Sequence, residues 1–250
     1  MPEAVHPTLP AFFISDLHLA AEQRETVSAF FEFLRGPARS AGSLFILGDL
    51  FEYWAGDDDV GAPFNSRVCD ALRELSAAGV EVFFMTGNRD LLAGRDFAHA
   101  AALRLLPDPT LVNLRGLRVL LSHGDMLCTD DRAYQAYRKQ VRDPAWQAAF
   151  LAQPLTTRKA FIDSLRQQSE AAKQDKPMTI MDVNAQAVED LLHAYAYPEL
   201  IHGHTHRPAR HVHRVGNHDC ARWVLSDWHG EASWLAFDGD VFTAHSGTPR

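Results

Sequence analysis

Ala11-Phe12-Phe13-Ile14-Ser15-Asp16-Leu17-His18 runs four apolar residues into an abrupt polar stop. The same figure recurs along the chain. Ser43-Leu44-Phe45-Ile46-Leu47 stops at Gly48-Asp49, and residues 80–85 stop at Thr86-Gly87-Asn88-Arg89-Asp90. Residues 117–122 stop at His123-Gly124-Asp125, and Glu199-Leu200-Ile201 stops at His202-Gly203-His204-Thr205-His206. Short β-rich runs bounded by glycine and aspartate read as buried strands.

Helical patterns separate the early runs. Residues 22–35 place Val27, Phe30, Phe31 and Leu34 at helical spacing, and residues 65–78 do the same with Val68, Leu72 and Leu75. Alternating strand and helix predicts an α/β fold with a mainly parallel sheet covered by helices. Residues 222–225 and 233–237 read as further strands, with Asp238-Gly239 as a hairpin signal before 241–244, so a second, partly antiparallel sheet is expected. The 250 residues fit one domain, 1–250. Residues 132–184 interrupt the strand rhythm and read as an inserted helical cap. Tyr134, Tyr137, Trp146, Phe150, Leu151, Leu155, Phe161, Ile162 and Leu165 recur there at mixed helical spacings, broken by Pro144, Pro154 and Pro177. Packing onto the body explains most of these by default; a groove for an apolar ligand is the sharper alternative.

A net charge of −8 argues against general nucleic-acid binding, which needs a basic face. The charge is unevenly spread: residues 132–176 hold nine Lys/Arg against four Asp/Glu. That imbalance suggests a local anionic partner, a phosphate group or a membrane surface, with a solvated helix face as the plain alternative. The first ten residues lack the character of a signal peptide, and no apolar run approaches the roughly 20 residues that span a bilayer. Cys69, Cys128 and Cys220 have no metal-knuckle spacing, which suits free thiols in a reduced cytoplasm.

In open α/β sheets, ligands bind beyond the carboxyl ends of the strands, where every polar cluster above falls. Those clusters offer Asp16, His18, Asp49, Asn88, His123, His204 and His206. Carboxylate, imidazole and amide oxygen without thiolate suit divalent manganese, iron or zinc. Seven ligands exceed the needs of one ion. Two ions about 3.5–4 Å apart would use them all if one carboxylate bridges, the arrangement that serves in-line attack of water at phosphorus.

In order and spacing these five clusters resemble the calcineurin-like metallophosphoesterase signature. That resemblance implies a four-layer fold with two central mixed sheets flanked by helices. It also implies that Asp16, His18, Asp49 and His206 hold one ion, while Asp49 bridges to a second held by Asn88, His123 and His204. His202 has no place in the pattern. Most of the family carries histidine after the asparagine. Here Arg89 stands in that position, able to clamp phosphate oxygens but a poor proton donor. Such a residue suits a leaving group that is already good, such as the phosphate of a pyrophosphate; on this reading Asn88 and Arg89 are the catalytic pair.

Longer strings narrow the match. Ile46 through Glu52, Trp54, Gly56-Asp57-Asp58-Asp59, Leu127-Cys128-Thr129-Asp130-Asp131 and Ile180-Met181-Asp182-Val183-Asn184 resemble the UDP-2,3-diacylglucosamine hydrolase family of lipid A biosynthesis. That resemblance covers nearly the whole chain. It implies water attack at the UMP-side phosphorus, giving UMP and 2,3-diacylglucosamine 1-phosphate, usually with Mn²⁺. Substrate contacts would fall on Asn88, Arg89, Asp131, Ser169, Lys173, Lys176 and His204, with Lys173 departing from the amide usual in relatives. A diacylated substrate implies peripheral attachment to the cytoplasmic face of the inner membrane, with no protein partner indicated. The alternatives are another reaction of the superfamily, such as phosphomonoester or dinucleotide polyphosphate hydrolysis, and a non-catalytic metal-binding scaffold. Arg89 and the apolar cap count against the first, and the full ligand set against the second.

Overall fold

The computed structural model describes residues 4–175 and 182–247, with the side chains of 166–175 outside the description. Two mixed sheets lie face to face. The first has strands β1 (Ala11–Ile14), β2 (Ser43–Leu47), β3 (Glu81–Met85) and β4 (Arg104–Leu106), all parallel. Its other edge is extended antiparallel by β10 (Ala232–Phe237) and β11 (Phe242–Gly247). The second runs β5 (Thr110–Leu114), β6 (Leu117–Ser122), β7 (Glu199–His202), β9 (His218–Val224), β8 (Ala209–Val215), parallel at its centre and antiparallel at both edges.

Burial on both faces explains why the central strands read as unbroken apolar runs. Between the sheets, Phe13 stacks on Phe45 at 5.1 Å and Phe45 on Phe83 at 4.6 Å, a rung set by parallel register across three strands. Leu47, Met85, Val119, Leu121 and Ile201 complete this inner layer. Outside the first sheet, α1 (Arg24–Arg35), α2 (Pro63–Ala77) and α3 (Arg95–Ala101) bury Phe30, Phe33, Leu72 and Phe97 against Phe12, Leu44 and Phe84. Outside the second, α7 (Ala185–Ala194) lays Val188 and Leu192 on Leu120 and Leu200. The result is the four-layer arrangement, helix–sheet–sheet–helix, with two mixed sheets.

Three helices follow β6 before α7: α4 (Arg132–Val141), α5 (Pro144–Leu151) and α6 (Leu155–Asp175). Asp131 caps α4 by accepting from Tyr134 N at 3.0 Å, and Asp143 caps α5 ahead of a first-turn proline. Several of the basic residues here are paired with acids of the body, while Arg132 and Lys139 are exposed. Arg138 and Arg142 reach Asp125 at 2.8 and 3.3 Å, Lys159 reaches Asp59 at 2.7 Å, and buried Arg158 pairs with Asp58. Four cations of the segment thus fasten these helices to acids of the body. Lys176 and the Ile180-Met181 string lie outside the described residues, as do the side chains of Ser169 and Lys173. Among the described residues, no helix is long and apolar enough to cross a membrane.

Candidate metal centre

All five polar clusters meet at the carboxyl ends of the central strands. The chain keeps pairing just past β1 and β2, with His18 N donating to Asp49 O at 2.9 Å and Leu19 N to Leu50 O at 2.9 Å. Asp16, His18, Asp49, His204 and His206 each have positive φ, between 50° and 68°. Side chains with a Cβ rarely adopt that region, and its concentration on five of the seven expected ligands marks strain held at a functional site. Two glycines let the loops close: a Cβ on Gly87 would come within 2.1 Å of Asp49 Oδ1, and one on Gly203 within 2.1 Å of Asp16 Oδ2.

Asp16, His18 and His206 each turn one donor atom toward a common point, and so do Asp16, Asp49 and His123, all within 4.8 Å of one another in each group. His18 Nε2 and His206 Nε2 face each other at 3.4 Å, and His206 Nε2 lies 3.4 Å from Asp16 Oδ1. That oxygen is buried without an aligned hydrogen bond. On the other side His123 donates from Nδ1 to Leu47 O at 2.8 Å, which turns the Nε2 lone pair toward Asn88 Oδ1 at 3.0 Å and Asp49 Oδ1 at 3.7 Å. Electron-rich atoms this close require a proton or a cation between them. The residues present therefore fit two divalent ions. His204 completes the ring, its imidazole 5.1 Å from that of His123 and its backbone N–H donating to Asp16 Oδ2 at 2.8 Å.

Without ions the charge balance shows the same demand. Burial works against protonation of His123, but Asp49, Asp16 and Asp125 outweigh it and raise its pKa to about 9. Burial likewise opposes His206, yet Asp16 and Asp227 lift it to about 10. His204, desolvated and beside His123, drops to about 4.

A family model described as calcineurin-like phosphoesterase matches residues 9–208. The chain belongs to the calcineurin-like phosphoesterase family. It is 60% identical over 231 residues to the UDP-2,3-diacylglucosamine hydrolase of Aromatoleum aromaticum, covering 92% of this chain and 94% of that protein. The protein of the same name from Xanthomonas oryzae pv. oryzae is 47% identical over 239 residues, covering 93% and 96%. A solved archaeal phosphodiesterase aligns over 95% of this chain and 99% of its own at 11% identity and a TM-score of 0.46. The family assignment rests on the family model and the two hydrolases.

Within this calcineurin-like phosphoesterase, the orienting groups behind the ligands were not singled out from sequence. Glu52 Oε2 lies 3.1 Å from His18 Nδ1, and Asp227 Oδ2 lies 2.9 Å from His206 Nδ1. Asp90 accepts the N–H groups of Gly87 and Leu50, each at 2.8 Å, and so ties the asparagine loop to the Asp49 loop. Asp125 sits beneath His123 and takes Arg138, Arg142 and Tyr134; the Tyr134 ring in turn stacks on His204 at 5.7 Å. His202, left out of the ligand set, is fully buried, lies 2.8 Å from Gly203 O through Nδ1, and accepts from Arg222 through Nε2 at 3.0 Å. Arg89 projects beside the centre with its guanidinium 3.6 Å from Glu52. Asp131, expected to touch substrate, is nearly buried in its capping role.

Proposed function

We propose that this chain hydrolyses the pyrophosphate bond of UDP-2,3-diacylglucosamine, releasing UMP and 2,3-diacylglucosamine 1-phosphate in lipid A biosynthesis. The observation that carries the reading is the convergence of seven oxygen and nitrogen ligands beside an arginine where most of the family has histidine. The two hydrolases named above, matched over nearly their whole length, support the same substrate. Two divalent ions, Mn²⁺ on this reading, would be held by Asp16, His18, Asp49 and His206 and by Asp49, Asn88, His123 and His204, and would neutralise phosphate charge and lower the pKa of water.

The protein groups supply positioning. The Arg89 fork binds phosphoryl oxygens and keeps its proton, so it stabilises charge on the departing sugar phosphate without donating to it. Asn88 and His204 face the same phosphate. The oxygen of water bonds to the UMP-side phosphorus, the bond from that phosphorus to the bridging oxygen breaks, and the bridging oxygen leaves with the sugar phosphate. The body with α4–α6 is read as one domain of residues 1–250 whose inserted cap, 132–184, covers the acyl chains. Lys173, Lys176, Ser169 and Asp131 are proposed to hold polar parts of the substrate. Tyr137, Leu151 and Phe161 leave apolar surface exposed on these helices. A substrate with two acyl chains brings the protein to the cytoplasmic face of the inner membrane without a spanning helix.

The test is UMP release from the diacylated substrate in ¹⁸O water with Mn²⁺. Label in UMP is expected; label confined to the sugar phosphate, or turnover undiminished after chelation, would refute the mechanism.

A further inference from the structure

Glu52 stands where two halves of the site meet. It follows β2 by a few residues, and its N–H donates to Leu19 O at 3.1 Å, so the paired segments 16–19 and 49–52 set its side chain beside His18. Its two carboxylate oxygens face different partners: Oε2 lies 3.1 Å from His18 Nδ1, a charge contact without an aligned hydrogen bond, and Oε1 lies 3.6 Å from Arg89 Nη1. The carboxylate is 11% exposed and the two partners 17% and 20%, so water screens neither contact fully. Asp227 plays a similar part for His206, but its other contact is the exposed His229. Among the described residues, Glu52 alone of these orienting carboxylates reaches both an expected ligand and the arginine.

We propose that Glu52 is a positioning residue coupling the metal centre to the phosphate clamp. The carboxylate charge beside His18 Nδ1 favours the tautomer protonated there, which leaves Nε2 as the ligand atom and makes the ring a better donor to a cation. The other oxygen holds the Arg89 guanidinium, which has several rotamers to lose, in the orientation that meets the substrate. The second role rests on the proposed reading of Arg89; the first does not.

Glu52→Gln keeps shape and removes charge. Mn²⁺ titration by calorimetry should show affinity reduced about 10-fold. At saturating Mn²⁺, kcat on UDP-2,3-diacylglucosamine should stay depressed about 10-fold, because extra metal cannot reseat Arg89. In an Arg89→Ala background the same change should cost no further activity at saturating metal. Unchanged Mn²⁺ affinity overturns the proposal, as does full rescue of kcat by metal alone or multiplication of the two losses. Absence of turnover by the unaltered protein would sink the substrate reading instead, and the Mn²⁺ titration would still decide the contact with His18.

Discussion

Asp90 reaches back across the sequence to Leu50, whose N–H it accepts at 2.8 Å, while its other oxygen takes Gly87 N at 2.8 Å. One buried carboxylate thus fixes the distance between two loops that carry candidate ligands. Asp90→Asn keeps the size but replaces one accepting oxygen with an NH₂ that faces backbone donors. Each orphaned donor costs about 1–3 kcal/mol, and outer-shell changes of this kind weaken metal binding about 10–100-fold. The expected outcome is a lower melting temperature together with weaker Mn²⁺ binding, read by scanning calorimetry and metal titration. Loss of stability alone would mean that the two loops hold their spacing without Asp90.

The raised histidines set a pH response that metal reverses. In the metal-free protein His206 titrates near 10 and His123 near 9, against an ordinary 6.5. Their folded-state protonation therefore contributes stability that is fully present below about pH 6.5 and is lost as pH rises through 9 to 10. Chelated protein should melt at progressively lower temperature across that window. Mn²⁺ competes with those protons, so its apparent affinity should rise with pH, with proton release on binding measurable by calorimetry in buffers of different ionisation enthalpy. Binding without proton release would contradict the assigned ligands.

What was legible in sequence follows from how much each element buries. The strands carrying Phe13, Phe45, Phe83 and Leu120 are covered on both faces and announce themselves as apolar runs. Strand β8, Ala-Arg-His-Val-His-Arg-Val, is an exposed edge and carries no such signal, and β4 is too short to carry one. The candidate ligands were legible because each follows a strand end, and the structure brings them together. Glu52, Asp90, Asp125 and Asp227 were not, since their partners are set by loops distant in sequence. The same limit applies to Arg138, Arg142, Arg158 and Lys159, which read as surplus positive charge until Asp125, Asp58 and Asp59 are placed against them.

Attachment of α6 turns on an asymmetric pair. Arg158 is 1% exposed and also donates to Ala55 O and Gln153 O, whereas the Asp58 side chain is 56% exposed. Asp58→Asn should cost less than about 1 kcal/mol, as for a solvent-screened ion pair. Arg158→Met should cost more, about 1–3 kcal/mol, because it orphans the buried Ala55 carbonyl. Limited trypsin digestion should open α4–α6 in the second variant and leave the first intact. Equal protection in both would show that apolar packing alone holds the helices down.

Phe150 illustrates why exposure has to choose the residues that test the acyl chains. Its ring is 5% exposed and stacked on Trp146 at 5.0 Å, so its loss would disturb the helices whatever the substrate. Leu151 and Phe161, 41% and 42% exposed, lose less packing on truncation than Phe150 does. If an acyl chain covers them, each truncation forfeits about 1.5–3 kcal/mol of burial, or about 10- to 100-fold in kcat/KM. An acyl-free UDP-sugar analogue makes no such contact and should be turned over by Leu151→Ala and Phe161→Ala at the wild-type rate. Parallel losses on both substrates would place the acyl chains elsewhere and leave the apolar surface of α5 and α6 unassigned.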